Sequence, residues 1–124
     1  MEFHKIKDAK DPKGHYTPAV SYNGVLYISG QVPTDPITGE KFGDTLEEQF
    51  KGILNNIDNL LKDNNTSRDN VLKVSIYVSD PKYWGEINEI YKEFFKDHKP
   101  ARIIVPAGEF RNGYLVEVEA IAKI

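Results

Sequence analysis

The residues best suited to chemistry lie in the last quarter of the chain. Arg102 sits inside the apolar run Pro100-Ala101-Arg102-Ile103-Ile104-Val105-Pro106, and after a glycine-containing turn Glu117 and Glu119 alternate with Val116, Val118 and Ala120. A guanidinium in such a setting grips a carboxylate through two parallel hydrogen bonds. A nearby carboxylate can orient or deprotonate a water. Together they form a minimal kit for hydrolysing a small anionic substrate. Two strands joined by a turn would bring Arg102 and Glu117 face to face across adjacent strands, and this placement has a rival reading. An unpaired buried charge is costly, so a purely structural salt bridge from Arg102 to Glu117 or Glu119 explains the same residues. Glu117 and Glu119 also read as the solvated face of an edge strand.

Five further residues attract attention: Tyr16, Ser29, Gly30, Ile104 and Asn88. Tyr16, in Gly14-His15-Tyr16-Thr17-Pro18, follows a flexible glycine and precedes a rigid proline, so a loop presents its ring in a fixed direction, either to close a pocket or to pack at the surface. Ser29-Gly30-Gln31 ends a strand-like run with a glycine that permits close backbone approach to a ligand. Strand alternation puts Ile104 on the same side as Arg102. Asn88 lies in a helical stretch, where a polar residue is ordinarily just solvated. His4, His15 and His98 have no metal-ligand spacing, and no HExxH, Walker, GxSxG or dinucleotide fingerprint occurs. Neither a metal nor a cofactor is expected.

These residues need a scaffold, and 124 residues are most economically one domain, 1–124, with a core of its own. Cysteine is absent, which excludes thiol chemistry and disulfide staples and makes a cytoplasmic setting the natural expectation. The start Met1-Glu2-Phe3-His4-Lys5 has no signal-peptide core, and no run nears the roughly 20 apolar residues of a membrane helix. No membrane association is expected. Net charge is -3 with Lys and Arg dispersed among acids, so the basic stripe needed for sequence-independent nucleic-acid binding is missing from the sequence. No nucleic-acid partner is expected.

Asn23-Gly24 between Val20-Ser21-Tyr22 and Val25-Leu26-Tyr27-Ile28 is the pair that favours a tight hairpin turn. Pro33, Asp35-Pro36 and Thr38-Gly39 mark Gln31 to Gly43 as an ordered loop. Asp44 with Glu47 forms a candidate capping box, and Leu46, Phe50, Ile53, Leu54, Ile57, Leu60 and Leu61 recur at helical spacing, predicting a helix over about Thr45 to Lys62. Alternation predicts a strand over Val71 to Val78. A cap at Ser79-Asp80-Pro81 opens a second amphipathic helix ending near His98, and Pro100 forces the chain into the Arg102 strand. The order is β-hairpin, helix, strand, helix, strand, strand, an α+β arrangement with two right-handed β-α-β crossovers and both helices on one sheet face. In the last strand Val116, Val118, Ala120 and Ala122 form one face, and Leu115, Glu117, Glu119 and Ile121 form the other. That second, helix-free face is partly apolar, a candidate oligomer surface.

Taken together, these residues resemble the Rid family of reactive intermediate deaminases, also called YjgF-type or liver perchloric-acid-soluble proteins. The resemblance spans nearly the whole chain: the Tyr16 segment, Asn23 to Pro33, the Asp35-Pro36 and Thr38-Gly39 turns, Glu48-Gln49, Asn88-Glu89-Ile90-Tyr91, His98 to Arg102 and Val116 to Ala122. It implies a chorismate-mutase-like α+β subunit in a homotrimer, with helix-free sheet faces forming a central barrel and three pockets at subunit interfaces. It implies hydrolysis of 2-imino acids, such as 2-iminopropanoate and 2-iminobutanoate formed from enamines, to 2-oxo acids and ammonia. By that resemblance Arg102 binds the substrate carboxylate and Glu117 orients or activates the water. The backbone around Gly30 and Ile104 contacts the amino or imino end, Tyr16 of a neighbouring chain closes the pocket, and Ser29 and Asn88 line or support it. An iminium carbon is already electrophilic, so orientation and one acid/base group suffice.

The chain departs from that pattern at Ile103 and Ile104, where a small Ser or Thr and often a Cys are usual, at Thr17-Pro18 in place of Ser-Gln, and at Pro106. If Ile104 shares the pocket with Arg102, its branched side chain narrows and greases the wall, which shifts preference toward imines with apolar side chains or weakens activity. Two other functions use the same residues: non-catalytic binding of small carboxylates, and the endoribonuclease or translation-inhibitor role of some relatives.

Overall fold

The fold is described by a computed structural model covering residues 1–124. Six strands form one sheet: β1 (Glu2–His4), β2 (Ala19–Tyr22), β3 (Val25–Gln31), β4 (Val71–Val78), β5 (Ala101–Pro106) and β6 (Val116–Lys123). Two helices, α1 (Leu46–Asp63) and α2 (Trp84–Phe95), precede β4 and β5. Spatial order is β1-β2-β3-β6-β4-β5, with β4 and β5 parallel and every other pairing antiparallel. Asn23 and Gly24 both take positive φ, 51° and 77°, and so make the tight β2–β3 turn that the Asn-Gly pair predicts.

The expectation of adjacent β5 and β6 strands is overturned, because β4 lies between them. The connection from Ala107 to Leu115 is long enough to cross the end of β4, so β6 slots between β3 and β4 and pairs with both. Glu117 and Glu119 therefore belong to a central strand, not an edge.

Helix α1 begins one residue later than the sequence indicates. Thr45 is the N-cap: its hydroxyl accepts from the Glu48 N–H at 3.2 Å, while Glu48 Oε1 accepts from the Thr45 N–H at 3.3 Å. Asp44 turns away to pair with Lys41 at 2.7 Å. The overlapping pairs Asp44/Glu47 and Thr45/Glu48 both satisfy the capping pattern, and Gly43, at φ 90°, directs the chain so that the second one engages. The second helix is shorter than predicted. Asp80 caps a 3-10 turn over Pro81–Tyr83 by accepting from the Lys82 N–H at 2.8 Å, and the α-helix proper runs from Trp84 until Lys96 enters the left-handed region at φ 55°.

Twenty-two buried apolar side chains form one core between the helices and one sheet face. From β6 this face takes Val116, Val118, Ala120 and Ala122, as alternation predicts. The opposite face exposes Ile103 and, paired with the half-buried Ile121, Tyr27. Fully buried Gln49 of α1 ties the two ends of the site's scaffold together. Its Nε2 donates to the Gly43 and Gly113 carbonyls at 3.2 and 3.1 Å, and its Oε1 accepts from the Leu115 N–H at 2.8 Å, anchoring the chain just before β6. No helix is long and apolar enough to cross a membrane.

Candidate active site

Arg102 lies on edge strand β5 in register with Val74, so its side chain leaves the sheet on the helix-covered face. There it meets one stripe of α2. Its Nη1 donates to Asn88 Oδ1 at 2.9 Å, and its guanidinium carbon lies 4.9 Å from the Tyr91 ring centroid and 5.7 Å from that of Trp84. These three residues are spaced at 84, 88 and 91, the interval that brings helical side chains onto one face. Asn88 is thus a partner of Arg102, not a solvated helix residue. No carboxylate of the chain pairs with Arg102. The structural salt bridge to Glu117 or Glu119 is absent, and a guanidinium with five donors makes one side-chain hydrogen bond. It borders a cavity of about 580 Å³ with Asn88, Tyr91, Lys92, Phe95, Lys96 and Lys99 among its walls.

Tyr91 was not recognised from the sequence, although its helical spacing to Asn88 could have placed it there. Its hydroxyl is buried and has no hydrogen-bond partner, and burial, opposed by the Arg102 charge, pushes its pKa up to about 12. Ile104 is in register with Ile76 and packs on the core. Within the chain its side chain does not line the Arg102 cavity. Core burial takes the apolar group inward, leaving its edge-strand backbone beside Arg102.

Glu117 occupies the other face of the sheet, in register with Tyr77. A second cavity, about 340 Å³, gathers Gly30, Tyr77, Ala107, Phe110, Glu117 and Glu119. Burial pushes the Glu117 carboxyl above its ordinary 4.5, Arg111 pulls it back, and Glu119 adds to the rise. Gly30 fits against this carboxylate closely. A Cβ there would lie 2.6 Å from Glu117 Oε1. The register explains the proximity: Ile28 pairs with Ala120 and Gln31 with Val118, so Ser29 and Gly30 form a bulge opposite Glu119.

Ser29 has a structural task in the subunit. Its hydroxyl donates to the Thr17 carbonyl at 2.6 Å and its N–H donates to the Pro18 carbonyl at 2.9 Å, fastening the segment that carries Tyr16. Tyr16 is 57% exposed and borders a small hollow with Gly30, Gln31 and Val32. The sequence candidates therefore divide into two clusters on opposite sheet faces. Arg102 and Asn88 form one; Glu117 and Gly30 form the other, while Ser29 fastens the segment of Tyr16, which borders a separate hollow that reaches Asn56 of α1. Ile104 belongs to the first through its strand alone. Phe110 and Tyr77, beside Glu117, escaped the sequence reading because a nine-residue connection and a strand register bring them there.

Comparison with known proteins agrees with this architecture. The family profile described as Endoribonuclease L-PSP matches residues 6–124. A RutC family protein of Aquifex aeolicus is 42% identical over 120 residues, 95% of each chain. The mouse 2-iminobutanoate/2-iminopropanoate deaminase is 37% identical over 109 residues, covering 88% of this chain and 81% of that one. Among solved structures, YyfA of Yersinia pestis, a protein of the Rid family, superposes with a TM-score of 0.88 at 35% identity, covering 99% of this chain and 98% of that one. With the profile, the relatives and the fold concordant over nearly its full length, the chain belongs to the endoribonuclease L-PSP family, also known as the Rid or YjgF family.

Proposed function

We propose that the chain is an enamine/imine deaminase that hydrolyses short 2-imino acids to 2-oxo acids and ammonia. The observation that carries this reading is Arg102. It is held by Asn88 and the Tyr91 ring, opens onto a cavity and has no carboxylate partner in its own chain. Such a group is built to receive a carboxylate from outside. The mouse relative of 37% identity is named for this activity.

The division of the candidates over two sheet faces gives the reading its quaternary form. Arg102 of one subunit and the Glu117 cluster of the next complete each pocket in a homotrimer, the partly apolar helix-free faces turning inward. The substrate carboxylate binds the Arg102 fork, which fixes the C2 carbon. Glu117 accepts a proton from a water as its oxygen bonds to C2, giving a carbinolamine. The proton then passes from Glu117 to the nitrogen, the C2–N bond breaks as the freed Glu117 carboxylate takes the proton of the C2 hydroxyl, and ammonia leaves as the 2-oxo acid forms. A carboxyl whose pKa is raised by burial is better suited to this exchange than an exposed one. Tyr16, exposed on its loop, covers the pocket.

The test couples the protein to a pyridoxal-phosphate dehydratase fed with serine or threonine and follows loss of the imine. Wild type should accelerate it, and Arg102→Ala and Glu117→Gln should each lose most of the acceleration. No acceleration over buffer by wild type overturns the reading. Arg102-dependent binding of 2-oxo acids without turnover would assign a carboxylate-binding function instead.

A further inference from the structure

The chain is net negative at -3, yet the Arg102 cavity gathers four cations. Lys92 of α2, Lys96 and Lys99 in the α2–β5 connection, and Arg102 line it with one carboxylate, Asp97. None of the four makes an ion pair within the chain. With Asp97 counted, one carboxylate on Arg102 still leaves an excess of two positive charges in the lining. Lys92 and Lys96 also complement the C-terminal end of α2, but that role does not involve Lys99 beyond the helix.

We propose that this cavity holds a second anionic group beside Arg102, and that its ligands are short dicarboxylic 2-imino and 2-oxo acids. The carboxylate next to the reacting carbon takes the Arg102 fork. The distal one takes the flexible ammonium groups of Lys92, Lys96 and Lys99, which act as point charges without fixed geometry. The buried Tyr91 and Phe95 rings give the cavity a low-dielectric wall that strengthens these attractions. The substrate preference is then set by charge at the far end of the molecule, not by the apolar side chain of Ile104. The inference rests on the reading of Arg102 as a carboxylate clamp.

Equilibrium binding separates the two claims without requiring turnover. Titrations of the intact protein with 2-oxobutanoate and 2-oxoglutarate at low salt should show the dicarboxylate binding about tenfold tighter. Raising the salt should shrink that advantage, and in Lys92→Gln/Lys96→Gln/Lys99→Gln the two affinities should converge. All three lysines are exposed, so the variant's melting temperature checks that the fold is intact. Equal affinities in wild type, or a preference that survives in the triple variant, overturns the second-anion site while leaving the clamp standing. If Arg102→Ala leaves both affinities unchanged, the clamp reading fails and the inference with it.

Discussion

Replacing Gly30 by Ala is expected to keep the fold and displace one carboxylate. The added Cβ would lie 2.6 Å from Glu117 Oε1, and restoring an ordinary contact of about 3.4 Å requires a retreat of roughly 0.8 Å. The atom that must move is the tip of a flexible side chain, and Gly30 is not among the positive-φ glycines. An alanine is therefore tolerated by the backbone and narrows the unfolded ensemble, for a stability change between zero and a gain of about 1 kcal/mol. Catalysis responds differently. Misplacing a reacting group by about 1 Å can cost on the order of 100-fold in rate, so Gly30→Ala should lower kcat by about 30- to 100-fold. KM should stay within about threefold, because Arg102 on the opposite face is untouched. The coupled imine assay measures both constants, and thermal melting reports the fold. In a Glu117→Gln background the alanine should add little, since the displaced group has already been disabled. A Gly30→Ala protein with wild-type kcat would refute the placement of Glu117 beside the reacting carbon. Full additivity of the two changes would do the same.

Two further outcomes follow from the same geometry. Burial holds the Glu117 carboxyl above its ordinary 4.5, and catalysis needs the ionised form, so kcat/KM should rise with pH along an acid limb centred above 4.5. Glu117→Gln should lack that limb, and a limb at or below 4.5 would contradict the assignment. Tyr91→Phe removes a buried hydroxyl that has no partner while retaining the ring over which Arg102 sits. Melting temperature should hold or rise by a few degrees, corresponding to about 1 kcal/mol, whereas a clear loss of stability would mean that the hydroxyl is hydrogen-bonded.

What could be read from the sequence was local. The Asn23-Gly24 turn, the Val71–Val78 strand and the alternation of β6 stand where residue pattern puts them, because turn chemistry and period-two burial are decided within a few residues. Strand order was beyond reach, since the Ala107–Leu115 connection fits a hairpin as well as a crossing over β4. That one ambiguity placed Arg102 and Glu117 on adjacent strands, when β4 separates them and opposite faces carry them. The bulge at Ser29-Gly30 was equally hidden, because it depends on the register against β6. Ile104 shows the limit of alternation. It shares a side with Arg102, yet the short aliphatic chain meets the core while the longer guanidinium passes along α2 to Asn88.

The central claim is that each pocket takes Arg102 from one subunit and Glu117 from another, and complementation between two inactive variants tests it most directly. Arg102→Ala and Glu117→Gln proteins are unfolded together in equal amounts, refolded and assayed beside each variant refolded alone. In a cyclic oligomer with random mixing, a site is intact when one neighbour supplies the arginine and the next supplies the glutamate, which gives about one quarter of wild-type activity. Recovery near that fraction is the predicted result. If the mixture stays as inactive as its components while subunit exchange is verified by mass, the two residues act within one chain and the account is contradicted.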